Sequence, residues 1–189
     1  NGGRLTIQES CMVTKNGAAN PPNEISLRQD VEDLFRGAGV YNTGSLTGEN
    51  CFIQNNKNNG IYNSYGHVNL ANCQIGSNGN PCEEGNTFEI LNFGRISLIT
   101  CTITNDYGGG IYNTVGGSSV LEYCIINSHT DPSACKKGPY YGIRNEIGQF
   151  KLKYSTINAG GWDGIKNEAS GTLLRIENCL IRDGAYGIV

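Results

Sequence analysis

Charge is scarce in this chain. Asp, Glu, Lys and Arg make up 16% of its 189 residues and leave a net charge of −3, so the basic patch that nucleic acid or an anionic membrane demands is missing. Long apolar runs are missing too. The longest, at about 96–103, is interrupted by polar residues and falls far short of a membrane span. There are two His, His67 and His129, and no Cys-x-x-Cys or Cys-x-x-His pair, which leaves no zinc-type motif. No Asn-x-Ser/Thr sequon occurs among 24 Asn, which excludes N-glycosylation by that rule. No signal peptide opens the sequence, as expected of a mature chain or a cytosolic one.

Gly (27) and Asn (24), in contrast, fill more than a quarter of the chain. Both tolerate left-handed backbone and populate turns. Helical bundles, coiled coils and Rossmann-like folds are thereby poor candidates, because long helices do not carry this much Gly. Gly shows no every-third-residue period, which excludes collagen. The length fits one domain, 1–189.

Repetition organises these residues. The tetrapeptide Gly-(Val/Ile)-x-Asn begins at Gly39, Gly60, Gly110, Gly142 and Gly164, with a degenerate copy at Glu89 and a last Gly-Ile pair at Gly187-Ile188. Successive starts are 21, 29, 21, 32, 22 and 23 residues apart, a base period of about 21 to 23. A second signature, Cys-x-Ile, follows each Asn after 9 to 12 residues: Cys51, Cys73, Cys101, Cys124 and Cys179 start it, Ser155 replaces Cys once, and Cys11-Met12-Val13 opens the chain. Between the two signatures lie alternating stretches such as Val68-Asn69-Leu70 and Phe150-Lys151-Leu152. Each period therefore holds three short strands separated by Gly/Asn turns.

Three strands in about 22 residues make one coil of a solenoid. Coils stacked about 4.8 Å apart place like residues over like. Val13, Ile53, Ile75, Ile103, Ile126, Ile157 and Ile181 then form an inward column, and Asn42, Asn63, Asn92, Asn113, Asn145 and Asn167 form a corner column whose amides bond along the stack. The expected fold is all-β: a parallel β-helix of about seven coils with three short strands each.

The Gly-Ile-Tyr-Asn turn, the alternating strand and the Asn-Cys-x-Ile that follows resemble the right-handed parallel β-helix repeats of the pectate-lyase-like superfold. Gly108-Gly109-Gly110-Ile111-Tyr112-Asn113 is similar to the GGGIYN repeats of bacterial surface proteins, including polymorphic outer-membrane and autotransporter passenger proteins. The resemblance covers nearly the whole chain and implies architecture. It leaves chemistry open, because the superfold carries lyases, hydrolases, adhesins and inert stalks.

Three insertions, at about 18–36, 76–87 and 128–139, lengthen individual coils. In the first, Ser26 and Gln29 form a capping box, Leu27, Val31, Leu34 and Phe35 follow at helical spacing, and Gly37 is placed to stop a helix. An amphipathic helix is predicted at about 26–36, lying over an apolar patch.

The two ends share a phase. Gly187-Ile188-Val189 lacks only the Asn of the tetrapeptide, and Asn1-Gly2-Gly3 with Leu5 and Ile7 would continue it, with Cys11 at the internal spacing from Asn1. Head-to-tail stacking of separate copies is one expectation, since such a contact does not close and makes a filament. One segment of a longer solenoid, or a boundary that fell there by chance, are the others. The assembly interface would comprise Asn1, Gly2, Gly3, Leu5, Ile7, Cys11, Cys179, Ile181, Gly187, Ile188 and Val189.

Eight Cys suggest disulfides in an oxidising compartment, hence a secreted or cell-surface protein. Adjacent coils satisfy the separation that a disulfide needs. One scheme uses every Cys: Cys51–Cys73, Cys101–Cys124, Cys82–Cys135, and Cys179 to Cys11 of the next copy. Local bridges Cys73–Cys82 and Cys124–Cys135 are the alternative.

No catalytic constellation emerges. The outward row of the tetrapeptide strand reads Tyr41, Tyr62, Leu91, Tyr112, Arg144, Lys166 and holds no acid, and the six Asp are dispersed. Neither His has a nucleophile at a meaningful offset. The residues between Cys and Ile (Met12, Phe52, Gln74, Thr102, Ile125, Thr156, Leu180) are not the Thr array of an ice-binding face. The first functional expectation is a structural protein that stacks end to end with itself into an extracellular filament or stalk, with no cofactor and no metal. The second is a glycan-binding adhesin module using Tyr41, Tyr62 and Tyr112 with Arg144 and Lys166. A polysaccharide lyase or hydrolase is third.

Overall fold

The computed structural model describes residues 4–7, 12–14, 38–79, 88–105, 108–128, 141–160, 163–168 and 172–189. Strands β1 (Arg4–Ile7) and β2 (Met12–Thr14) come first. Then follow β3 (Val40–Asn42), β4 (Ser45–Glu49), β5 (Phe52–Gln54), β6 (Ile61–Asn63), β7 (His67–Ala71), β8 (Gln74–Gly76), β9 (Phe88–Asn92), β10 (Arg95–Ile99) and β11 (Thr102–Asn105). The chain continues through β12 (Gly109–Asn113), β13 (Ser118–Glu122), β14 (Ile125–Ser128), β15 (Tyr141–Asn145), β16 (Gln149–Lys153), β17 (Thr156–Asn158), β18 (Asp163–Asn167), β19 (Leu173–Glu177) and β20 (Leu180–Arg182).

Every third strand joins the same sheet, and every pairing is parallel. The first sheet runs β1-β4-β7-β10-β13-β16-β19, the second β2-β5-β8-β11-β14-β17-β20, and the third β3-β6-β9-β12-β15-β18. This is the parallel β-solenoid expected from the repeat. The described strands make about five turns, among them the coils β3–β5 through β15–β17, against about seven expected. No helix occurs among the described residues; the one predicted at about 26–36 lies outside them, as do 80–87 and 129–139 of the other insertions.

Inward rows hold the stack together. Register pairs Val13 with Ile53, Ile53 with Ile75, and so on through Ile103, Ile126, Ile157 and Ile181. From Ile53 to Ile157 these Ile are fully buried, as are Ile61, Ile90, Ile111 and Ile143 of the third sheet and Leu98, Leu121 and Leu152 of the first. Each such side chain contributes about 1.5–3 kcal/mol relative to exposure. Ser119 stands where Val68, Ile96 and Phe150 stand in neighbouring coils. It is tolerated because its Oγ donates to Asn113 Oδ1 at 2.9 Å and accepts from Asn92 Nδ2 at 3.1 Å.

That bond joins Ser119 to the corner amides. Nδ2 of Asn42, Asn63, Asn92, Asn113 and Asn145 each donates at 2.8 Å to Oδ1 of the next Asn in the row, which ends at Asn167. All five bonds point one way, so each polarises the next. Spare amide hydrogens tie the turn itself, as from Asn63 to Gly66 O at 3.0 Å.

The opposite corner is built differently. Asn50, Asn72, Thr100, Tyr123, Tyr154 and Asn178 all have positive φ, between 47° and 56°. Each precedes a Cys, or Ser155, whose side chain clasps the turn by donating to the carbonyl two residues earlier. Cys51 reaches Glu49 O at 3.1 Å, Cys73 reaches Ala71 O at 3.1 Å, and Ser155 reaches Lys153 O at 2.7 Å. The same atom accepts an amide from the neighbouring coil, as Cys73 Sγ does from Cys51 N at 3.4 Å.

This corrects the expected disulfides. Cys51, Cys73, Cys101, Cys124 and Cys179 are thiols, none of them in a disulfide. In-register parallel strands hold their Cα–Cβ bonds side by side, so neighbouring Cβ vectors do not turn toward each other as a disulfide requires. Each sulfur is engaged with backbone instead. Cys11, Cys82 and Cys135, and every bridge drawn to them, lie outside the described residues. These five thiols lend no support to an oxidising compartment.

The thiols also polarise one another. Hydrogen bonding with Cys124, and then burial, pushes the Cys101 thiol up to about 11. Bonding to Cys101 and burial push Cys73 up as well, whereas Cys124 is lowered by the hydrogen bond it shares with Cys101.

Candidate functional site

The outward side of the third sheet carries the residues of the tetrapeptide row. Register places Tyr41, Tyr62, Leu91, Tyr112, Arg144 and Lys166 side by side across β3, β6, β9, β12, β15 and β18. The residue just past each Asn adds a second row at the corner, with Ser64, Phe93, Thr114, Glu146 and Glu168 held by amide bonds to the carbonyl of the previous coil's Asn.

These rows divide into two parts. In the first, Tyr41 and Tyr62 are 5.5 Å apart, Tyr62 stacks on Phe93 at 5.6 Å, and Tyr65 lies 6.1 Å from Phe93. Tyr41 is 49% and Tyr65 76% exposed, while Tyr62 is buried beneath them. Burial, reinforced by Tyr41 and Tyr65, raises the Tyr62 phenol above its ordinary pKa. Tyr65 holds a positive φ of 61°, which aims its ring outward from the turn.

Charge fills the second part. Tyr112 packs against Phe88 at 5.0 Å, its ring lies 4.5 Å beneath the Arg144 guanidinium, and its hydroxyl donates to Glu146. Burial and that hydrogen bond push its pKa up to about 12, so Tyr112 is a proton donor at neutral pH and not a base. Arg144 and Lys166 both bind Glu168, at 2.9 and 2.6 Å. Burial acts to raise the Glu168 pKa, but the two cations bring it below the usual carboxylate value.

The candidate glycan-binding residues are thus not one surface. Tyr41 and Tyr62 come together, but Tyr112 belongs to a separate cluster, and the two cations are both paired with Glu168. Sequence reasoning missed Tyr65, Phe93, Glu146 and Glu168. Their signal was position: each falls one or two residues after the conserved-spacing Asn, in a turn and outside the strand pattern.

The residues expected at an assembly joint lie at the two ends of the sheets. Asn1, Gly2, Gly3 and Cys11 are outside the described residues. Leu5 and Ile7 lie in β1, paired with Leu46 and Gly48 of β4. At the other end Gly187-Ile188-Val189 continues the third sheet, with Ile165 N bonded to Gly187 O at 2.9 Å and Asn167 N to Val189 O at 2.8 Å. Cys179 and Ile181 are half-buried there, and Ile188 and Val189 are exposed. The amide row ends where Asn167 Nδ2 donates to Thr172 Oγ1 at 2.7 Å. Among the described residues no group of three or more His, Cys, Asp or Glu is arranged to hold a metal ion.

A family model described as right handed beta helix region matches residues 36–189. No curated protein and no solved structure matches the chain.

Proposed function

This chain belongs to the right-handed β-helix family, and on that footing we propose that it is a structural solenoid that lengthens by stacking further parallel coils on the end formed by β18, β19, β20 and 187–189. One observation carries the reading. Inward rows that are fully buried inside the stack lose cover at this end: Leu174, Ile176 and Ile181 are only partly buried, and Ile188 is 53% exposed. Another coil of the same repeat would place its own inward residues over these and bond to the open strand edges. A second copy supplies such a coil, because β1 and β2 carry Leu5, Ile7 and Val13 in the rows of Leu174, Ile176 and Ile181. The contact is heterologous and produces a fibre.

Electron microscopy and sedimentation of the purified chain over a range of concentrations test this. Regular fibres that are lost on Ile176→Asp or Ile188→Asp support it. A monomer at every concentration overturns it.

A second reading, a glycan-binding module, rests on the exposed Tyr41 ring beside Tyr62 and the exposed Tyr65 ring beside Phe93. Aromatic faces stack on sugar rings, and the reading requires that glycan-array signals of the intact chain disappear in Tyr65→Ala.

A further inference from the structure

The left-handed corner between the first and second sheets forms one row: Asn50, Asn72, Thr100, Tyr123, Tyr154 and Asn178. Asn adopts this conformation readily, whereas a bulky side chain there is uncommon. Tyr123 and Tyr154 nevertheless hold it, at φ of 56° and 47°. Backbone bonds fix both, from Tyr123 N to Lys153 O at 3.1 Å and from Tyr154 N to Glu177 O at 2.9 Å. Lys153 Nζ sits between Glu122 and Glu177, at 3.7 and 3.6 Å, and ties the strand ends on which the two tyrosines are mounted. The rings project into solvent, 57% and 49% exposed, with centroids 5.0 Å apart and planes 10° from parallel.

We propose that Tyr123 and Tyr154 are an oxidative cross-linking site, coupled to dityrosine by a haem peroxidase acting with hydrogen peroxide. Each phenol gives up one electron and one proton to the oxidant and becomes a phenoxyl radical. The radicals join through a carbon ortho to each oxygen, and the two ring hydrogens at those carbons move to the oxygens as the rings regain aromaticity. The pair loses two electrons and two protons in all, and one hydrogen peroxide is reduced to two waters. The product ties two successive coils together at their corner.

Among the described residues, the other tyrosine contacts with an aromatic ring lack one of the requirements. Tyr62 is buried beneath Tyr41 and Phe93, and the tilt between Tyr41 and Tyr62 is 40°. Tyr65 neighbours Phe93, which has no phenol. Tyr112 has its ring covered by Arg144 and its hydroxyl held by Glu146.

The test is to treat the dilute, purified chain with a haem peroxidase and hydrogen peroxide. Dityrosine fluorescence is followed together with denaturing gels and mass spectrometry of the cross-linked peptides. The expected product runs as a monomer and yields one joined peptide containing Tyr123 and Tyr154, lighter by two hydrogens. Because proximity replaces a bimolecular encounter, Tyr123→Phe and Tyr154→Phe each lower the intramolecular yield roughly tenfold or more, and Tyr41→Phe leaves it unchanged. Tyr123→Asn, which places the row's commonest residue at this corner, gives the same loss and guards against misfolding of the Phe variant. A joined peptide mapping mainly to other tyrosines, an undiminished yield in Tyr123→Phe and Tyr123→Asn, or coupling only between molecules overturns the proposal.

Discussion

Ser155 Oγ accepts the amide of Cys124 at 3.0 Å and donates to Lys153 O at 2.7 Å, the two bonds that a thiol makes at the equivalent place in other coils. A hydroxyl and a thiol are therefore interchangeable at this corner, because what the turn needs is one small donor and acceptor aimed inward.

Cys101→Ser is accordingly expected to change unfolding free energy by less than about 1 kcal/mol, since it retains both bonds, whereas Cys101→Ala removes the sulfur that accepts the Cys73 amide and costs about 1–3 kcal/mol. Urea unfolding of the two variants beside the parent measures the difference. Equal losses would show that the thiol acts through its volume alone.

The thiol row also sets a limit at alkaline pH. A thiol whose pKa is raised by folding contributes stability that is complete below the ordinary value of 9.0 and is lost as pH rises toward the folded value, about 11 for Cys101. Cys73 acts in the same sense, and the lowered Cys124 opposes them in part. Thermal midpoints should therefore fall between pH 9 and 11, and the C73S/C101S double variant should show a flatter profile over that range.

Asn113 lies mid-row, donating to Asn145 Oδ1 at 2.8 Å and Gly117 O at 3.1 Å while accepting from Asn92 and Ser119. Asn113→Asp puts a buried carboxylate against two oxygens and is expected to cost about 3–5 kcal/mol at neutral pH. Part of the loss should be recovered under acid, where the carboxyl regains a proton to donate. Unfolding curves at two pH values check both statements.

Two glycines should respond differently to Ala. A Cβ on Gly110 would stand 2.5 Å from Gly142 O and 3.0 Å from Ile126 Cγ2, a clash with the backbone of the next coil. Gly116 has open space around it but a φ of +81°. Gly110→Ala is expected to cost about 3 kcal/mol or more, and Gly116→Ala only about 1–2 kcal/mol. Calorimetry of both variants orders them.

Much of the solenoid was legible in the sequence because each row recurs once per coil. The Ile and Asn columns follow from the repeat period and the alternation of strands, and the structure puts them in those rows. Glu89 shows where the pattern misleads. It replaces the Gly of the tetrapeptide and is buried, with its carboxylate accepting from Asn78 N at 3.1 Å and Asn78 Nδ2 at 2.5 Å. Its partner belongs to a different row, so spacing within its own row carried no sign of it.

The sequence by itself determined the period, the three strands per coil and the membership of the Ile and Asn columns, since these depend on chain-local alternation and on the turn residues Gly and Asn. Only the tertiary structure decided what side chains of different rows do to one another. It put Glu168 between Arg144 and Lys166, separated Tyr112 from Tyr41 and Tyr62, and left the Cys column as thiols. The physical reason is that a repeat fixes which residues are stacked, whereas the shape of the corners fixes where the stacked side chains point.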